Sequence, residues 1–318
     1  MSLAVLSGMA DVMKVIRFDL LRAQPTQVHM ETQSTGSVRP HSPTPPIEVP
    51  CDIMAASRSN LGSAPRAARL VRLHTAAPLA EGQPVALLPD QVHRLHAVMR
   101  LAAGAEIRLF NTVDGEWRCR LSQLTKRAGE ATPEHQLRSQ AEEPAPGPWL
   151  AFAPLKKDAQ DYLTEKAVEL GVDQFWPVFT DHANSGRIRL DRLQAQAIEA
   201  AEQCERLSLP TLREPLDGLE TLLAAWPSDR PILAATERQD VVPIGAYLSG
   251  LTPEALFGPL GIVIGPEGGF SPKELDVLQS HPLVTRVGLG PRILRAETAA
   301  AAALVSVQFW RDSVRPSQ

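Results

Sequence analysis

From residue 149 to residue 312 the chain alternates short apolar runs with amphipathic helical stretches, and this alternation limits the fold more than any other feature. LAFAPL reads as a buried strand, Asp158–Leu170 as a helix ended by Gly171, FWPVFT as a strand, and Arg192–Cys204 as a helix. PILAAT and GIVIG are further strands. The helix opened by Ser271-Pro272 runs through Gln279, VTRVGLG is a strand, and Thr298–Phe309 is the closing helix. Repeated strand–helix units of this kind imply a mostly parallel sheet with helices on both faces. Ser271 as N-cap, Pro272 at the first helical position and Glu274 at the third form a capping box.

The preceding segment has a different period. VRLHTA, PVALL, EIRLFNT and EWRCRLSQL are short strand-like runs punctuated by Gly82, Gly104, Asp114-Gly115 and Gly129. Asp114-Gly115 marks a hairpin. Pro89–Met99 reads as one helix with Val92, Leu95, His96 and Met99 on a single face. The expectation is a small β-barrel over 66–140, joined through the Pro/Gly/Glu-rich linker Glu142–Pro148 to an α/β domain over 149–312.

Residues 1–65 form a separate extension. Thr32–Pro50 is rich in Ser, Thr and Pro and lacks the apolar surface needed to offset its ordering entropy. Three readings stand: a disordered tail, a start site placed too early (with Met54 as the alternative), or a targeting segment. Asp11 and Asp19 weigh against the last, because transit peptides are poor in acidic residues. No stretch approaches the ~20 apolar residues of a membrane span. Cys51, Cys119 and Cys204 form neither a CxxC pair nor a zinc-spaced cluster, so no metal site and no disulfide framework is expected. That usage suits a reducing compartment.

The net charge of −4 is unevenly placed. Residues 66–138 carry eleven basic and seven acidic side chains, whereas 139–318 are acidic overall. Any RNA footprint is therefore expected on the first of these segments.

Two loops carry the chemistry. Gly265-Pro266-Glu267-Gly268-Gly269 follows an apolar strand, where open α/β sheets bind ligands through backbone groups. It has no Lys and no Ser/Thr for a polyphosphate, and suits a neutral or positive ligand such as the sulfonium of S-adenosylmethionine. Leu289-Gly290-Pro291-Arg292-Ile293-Leu294-Arg295-Ala296-Glu297-Thr298 joins the last strand to a helix whose Ala299–Ala303 run permits close packing. Gly288-Leu289-Gly290 lacks the third glycine of a dinucleotide fingerprint. No GxSxG elbow supports a hydrolase.

Taken with HRLHAVMR (93–100), EKAVELGV (165–172) and EQCER (202–206), the segments IGPEGGFSPKE and LGPRILRAET resemble the 16S ribosomal RNA (uracil-N3)-methyltransferases, the RsmE family of the SPOUT superfamily. The resemblance covers roughly residues 66–310. Met99 stands where Leu is usual, Glu205 where a small residue is usual, and residues 1–65 have no counterpart. The resemblance implies a PUA-like β-barrel followed by a SPOUT α/β domain with a C-terminal trefoil knot, a homodimer, and a cytoplasmic bacterial enzyme (organellar if residues 1–65 are a targeting segment).

It further implies methylation of N3 of a uridine in 16S ribosomal RNA within the small subunit, with S-adenosyl-L-methionine as donor. The expected cofactor residues are Thr236, Gly265, Pro266, Glu267, Gly268, Gly269, Leu289, Gly290, Ile293, Leu294 and Thr298. Arg295 or Arg292 would stabilise the enolate of the base, and Glu297 would accept its proton. RNA contacts are expected from Arg69, Arg72, His93, Arg94, Arg100, Arg187 and Arg206. Two alternatives stay open: a knotted methyltransferase acting on a ribose 2′-hydroxyl, and a non-catalytic RNA-binding assembly factor.

Overall fold

Alternating apolar residues build the first sheet. The computed structural model describes residues 70–144, 146–183, 187–236 and 241–314, so the N-terminal extension and Arg69 lie outside it. The chain begins with β1 (Arg72–His74), β2 (Val85–Ala86) and α1 (Pro89–His93), then continues through a π-helical turn, Arg94–Val98. Next come β3 (Glu106–Asn111), β4 (Gly115–Leu124) and β5 (Gly129–Arg138). The sheet order is β1-β3-β4-β5-β2, with β1 parallel to β3 and the other pairs antiparallel. Ile107, Leu109, Cys119, Leu121 and Ala131 point inward against Leu73, Val85, Val92 and Leu95.

Gly115 closes the β3–β4 hairpin with φ +76°, and a Cβ there would lie 2.2 Å from the carbonyl oxygen of Arg138. Strand β5 has no strand-like sequence. Its buried positions are the small or ring-closed Gly129, Ala131 and Pro133, and Pro133 sits opposite Cys119 where the register shifts. A bulge is where a strand tolerates proline.

The single helix expected over Pro89–Met99 is interrupted. Val92 and Leu95 are buried as expected, but the amide of Met99 reaches back five residues to the Arg94 carbonyl at 2.9 Å. The wider turn rotates Met99 off the buried face, leaving it 44% exposed.

The α/β part runs β6 (Trp149–Phe152), α2 (Lys157–Glu169), β7 (Gln174–Phe179), α3 (Leu190–Cys204), β8 (Thr211–Leu212) and β9 (Leu216–Asp217). It continues with α4 (Leu219–Ala225), β10 (Ile232–Ala235), β11 (Val242–Pro243), α5 (Ile244–Ser249) and α6 (Pro253–Phe257). Last are β12 (Gly261–Ile264), α7 (Pro272–Ser280), β13 (Val284–Gly288) and α8 (Ala296–Val314). The strand order is β11-β13-β10-β12-β6-β7-β8, with β9 also beside β7, and every pairing is parallel.

The period-2 pattern divides the core. Leu150, Phe152, Phe175, Ile262 and Ile264 pack with α2, α3 and α8 on one face. Ala151, Trp176, Val178, Val263 and Ala234 pack with α4 and α7 on the other. There Trp149, Trp176 and Trp226 form a ring cluster with centroids 5.2–5.5 Å apart. Gly261 lies directly under it, since a Cβ would meet the Trp226 ring at 2.2 Å.

A candidate methyl-donor cleft

The carboxyl ends of β10, β12 and β13 open onto one cavity of about 1220 Å³. Strands β12 and β13 flank β10 on opposite sides, so the strand connections diverge here and leave a crevice. Thr236 forms one wall, Gly265, Pro266, Gly268 and Gly269 a second, and Leu289–Leu294 a third; Phe270, Leu275, Ala296 and Ala299 are among the other lining residues.

Backbone constraints hold both loops. Gly269 has φ +71° and Gly290 φ +115°, in the region that side chains disfavour. A Cβ on Gly265 would come within 3.1 Å of the Phe270 ring. The first loop is tied off by the cap of α7: Ser271 Oγ accepts the Glu274 amide at 3.2 Å, and Glu274 accepts the Ser271 amide at 2.8 Å. Glu274 is only 4% exposed, so this carboxylate works inside the fold.

The walls are apolar and backbone-rich. Arg292 is the one charged side chain among the described residues lining the cleft. Thr236 Oγ1 is buried with no hydrogen-bond partner among the described residues. Such a surface fits an adenosyl group with a sulfonium: flat apolar walls for the base, backbone groups for its edge, and no lysine to suit a polyphosphate.

Four of the expected site residues do not line the cleft: Glu267, Arg295, Glu297 and Thr298. Glu267, at the tip of its turn, is exposed, as are Arg295 and Thr298. Helix geometry explains the last two acting positions. Ala296 and Ala299, three apart, face the cleft, so Glu297 and Thr298 are turned about 100° and 200° away. Glu297 is half-buried, and its Oε2 is enclosed with no partner among the described residues. Among the lining residues that the sequence reasoning missed are Ala235, Val241, Phe270, Leu275, Ala296 and Ala299. Phe270 was detectable from its place beside Gly269; the others carry only an apolar signal.

The expected basic track needs a larger correction. Arg72 is 4% exposed and belongs to the interior. Its guanidinium lies 3.4 Å from the centre of the Phe110 ring and donates to the carbonyls of Ala201 (2.7 Å) and Arg206 (2.8 Å), at the end of α3. Arg206 is likewise enclosed, donating to the Val172 carbonyl at 2.7 Å and to Ser208 Oγ at 2.8 Å. Neither is available to a phosphate.

Arg108 and Arg138 join them. Both bind buried Glu116, while Arg108 pairs with the Glu205 carboxylate at 3.0 Å and Arg138 donates to the Glu205 carbonyl. Cations at the carbonyl end of a helix are favourable. Much of the basic excess of 66–138 therefore joins the two sheets instead of facing solvent. Glu205, the departure noted above, adopts φ +63° to end α3 and supplies a carboxylate to this junction. Arg94 is partly exposed but bridged to Glu202 at 2.7 Å. Burial raises the Glu202 carboxyl above its ordinary range, against the opposing pull of the His74 amide and Arg94. His93, Arg100 and Arg187 are exposed.

Comparison with known proteins agrees with this geometry. Residues 142–308 match an RNA methyltransferase domain family, and residues 90–134 match an RNA methyltransferase PUA domain family. Ribosomal RNA small subunit methyltransferase E of Rickettsia conorii is 30% identical over 75% of this chain and 95% of its own length. The protein of the same name from Synechocystis is 32% identical over 72% of this chain and 74% of its own length. The crystal structure of Ribosomal RNA small subunit methyltransferase E from Neisseria gonorrhoeae, bound to S-adenosyl methionine, superposes with a TM-score of 0.66 at 29% identity, covering 76% of this chain and 98% of that one. The architecture is thus a PUA-like domain followed by an α/β methyltransferase domain of the SPOUT type, and the chain belongs to the ribosomal RNA small subunit methyltransferase E family.

Proposed function

We propose that the chain transfers a methyl group from S-adenosylmethionine to N3 of a uridine in 16S ribosomal RNA, within the small subunit. The observation that carries this reading is the convergence of the two glycine-bearing loops on one apolar cleft beyond β10, β12 and β13. When bound, the donor supplies an electrophilic methyl group on a positively charged sulfur.

The chain's own residues do the rest. Thr236 Oγ1, which has no partner among the described residues, offers the cofactor a hydrogen-bonding hydroxyl, and the backbone around Leu289, Ile293 and Leu294 borders the adenine position. Holding donor and acceptor in line removes much of the barrier by orientation. Uridine N3–H must lose its proton, which places negative charge on O2 and O4. Arg292, on the cleft, is the side chain placed to stabilise it. Arg295 is a second cation just outside the lining. Glu297, whose Oε2 has no partner among the described residues, is the proton acceptor in this reading and, being turned off the lining, would take the proton through a bridging water. The base has to leave its stack to reach the cleft.

RNA contact falls to His93, Arg94, Arg100 and Arg187, with Arg69 beyond the described residues. Replacing both Arg100 and Arg187 by alanine is expected to weaken RNA binding and reduce the slope of affinity against salt by about two. An unchanged slope in a filter-binding titration would remove these residues from the footprint.

The same reading includes boundaries at 66–140 and 149–312 and a trefoil knot formed where the chain runs from β13 through Leu289–Arg295 into α8. It includes a homodimer, supported by exposed Thr298, Val305 and Phe309 and half-buried Ala302, which share one stripe of α8. Sedimentation at micromolar concentration tests the dimer; a monomer refutes it. A cytoplasmic location follows from the substrate, and no described helix is long and apolar enough to cross a membrane.

The function is tested by incubating purified small subunits, from a strain lacking this activity, with the full chain and labelled S-adenosylmethionine. Nucleoside mass spectrometry should show N3-methyluridine. A ribose-methylated nucleoside, or no incorporation, refutes the assignment.

A further inference from the structure

The turn Pro266–Gly269 is one wall of the cleft, and its conformation rests on more than its own glycines. The Gly269 amide closes it by donating to the Pro266 carbonyl at 2.9 Å. Outside it lies the segment that follows β7. His182 Nδ1 is 3.1 Å from the Gly269 carbonyl oxygen. The carbonyl can only accept, so Nδ1 carries the proton. The turn also packs on this side chain: a Cβ on Gly268 would stand 3.1 Å from His182 Cβ.

The neighbouring residue grips the other end of the same loop. Asp181 Oδ2 accepts from Ser271 Oγ at 2.6 Å, and the Asp181 amide donates to Glu274 Oε1 at 3.0 Å. Asp181 and His182 thus fasten both ends of the segment from Gly269 to the cap of α7. Neither lines the cleft. An exposed histidine that does not line the cleft, yet holds the carbonyl of a cleft-forming glycine, can act on the cleft through that glycine.

We propose that His182 is a positioning residue for the methyl-donor site: its Nδ1–H holds the Gly269 carbonyl and so fixes the turn against which the donor binds. This rests on the reading that the cleft binds S-adenosylmethionine. The role belongs to Nδ1 alone, which makes it separable from general packing. The side-chain amide of asparagine reaches nearly the position of imidazole Nδ1, whereas that of glutamine lies one bond farther out.

Isothermal titration of the full chain with S-adenosylmethionine and with S-adenosylhomocysteine tests this without reference to turnover. His182→Ala should weaken both ligands by about two- to tenfold, the range of one hydrogen bond. His182→Asn should bind within about twofold of the native chain, and His182→Gln should resemble alanine. Because the side chain is exposed, thermal midpoints should match across the series. Native-like affinity in His182→Ala, or an asparagine variant no better than alanine, overturns the proposal. Absence of binding by the native chain refutes instead the cleft assignment on which it rests.

Discussion

Glu116→Ala is expected to destabilise the fold by about 3–5 kcal/mol, the cost of leaving a buried charge without its counterion. Glu116 is 1% exposed and receives Arg138 at 2.7 Å, Arg108 at 2.9 Å and Arg72 at 3.4 Å. Removing it leaves three guanidinium groups around an uncharged space, one of them 4% exposed and unable to turn toward water. The junction at the end of α3 should loosen first, since Arg72 and Arg138 both donate to carbonyls there. Arg120→Ala provides the comparison. Arg120 is exposed and pairs with half-buried Glu106 and Glu134 in reach of solvent, so its loss should cost far less than that of Glu116. Urea unfolding followed by tryptophan fluorescence reads both variants. Equal effects would mean that the buried cluster contributes no more than a surface pair.

Arg292→Ala is expected to lower kcat by about a hundredfold or more, the scale seen when a preorganised charge partner is removed from a reacting oxygen. Arg292 is the one charged side chain on the described lining, and the negative charge on uridine O2 and O4 develops only as N3 is deprotonated. The loss should therefore appear in kcat, with affinity for S-adenosylmethionine changed by less than about twofold. Arg295→Ala, three residues along the loop and off the lining, should cost less than tenfold. Single-turnover methylation of small subunits separates the two. If Arg295→Ala proves the more damaging, the stabilising cation has been misassigned and the loop must rearrange when RNA binds.

Much of the cleft was legible in the amino-acid order because its parts depend on local chemistry. Glycine is needed where φ is positive, as at Gly269 and Gly290, and a Ser-Pro-x-Glu cap announces the start of α7 whatever surrounds it. The same holds for β6, β7, β10, β12 and β13, whose apolar runs suit strands buried on both faces. Strand β5 was not legible, because its inward positions are Gly129, Ala131 and Pro133, and only pairing with β4 makes it a strand. The short elements β8, β9 and β11 were missed for the same reason: two residues carry no period.

Charge was the least legible property of all. The basic residues of 66–138 looked like a surface for RNA, yet Arg72, Arg108 and Arg138 turn toward Glu116 and the last turn of α3. Sequence by itself determined the long strands and helices of the α/β part and placed a glycine-bearing loop after each of β12 and β13. Tertiary structure alone decided which side chains reach the cleft and which arginines reach solvent. Conformation at a glycine or a helix cap is set within four or five residues, whereas the partner of a long charged side chain is set by whatever the fold places beside it. Here that partner lies up to 134 positions away.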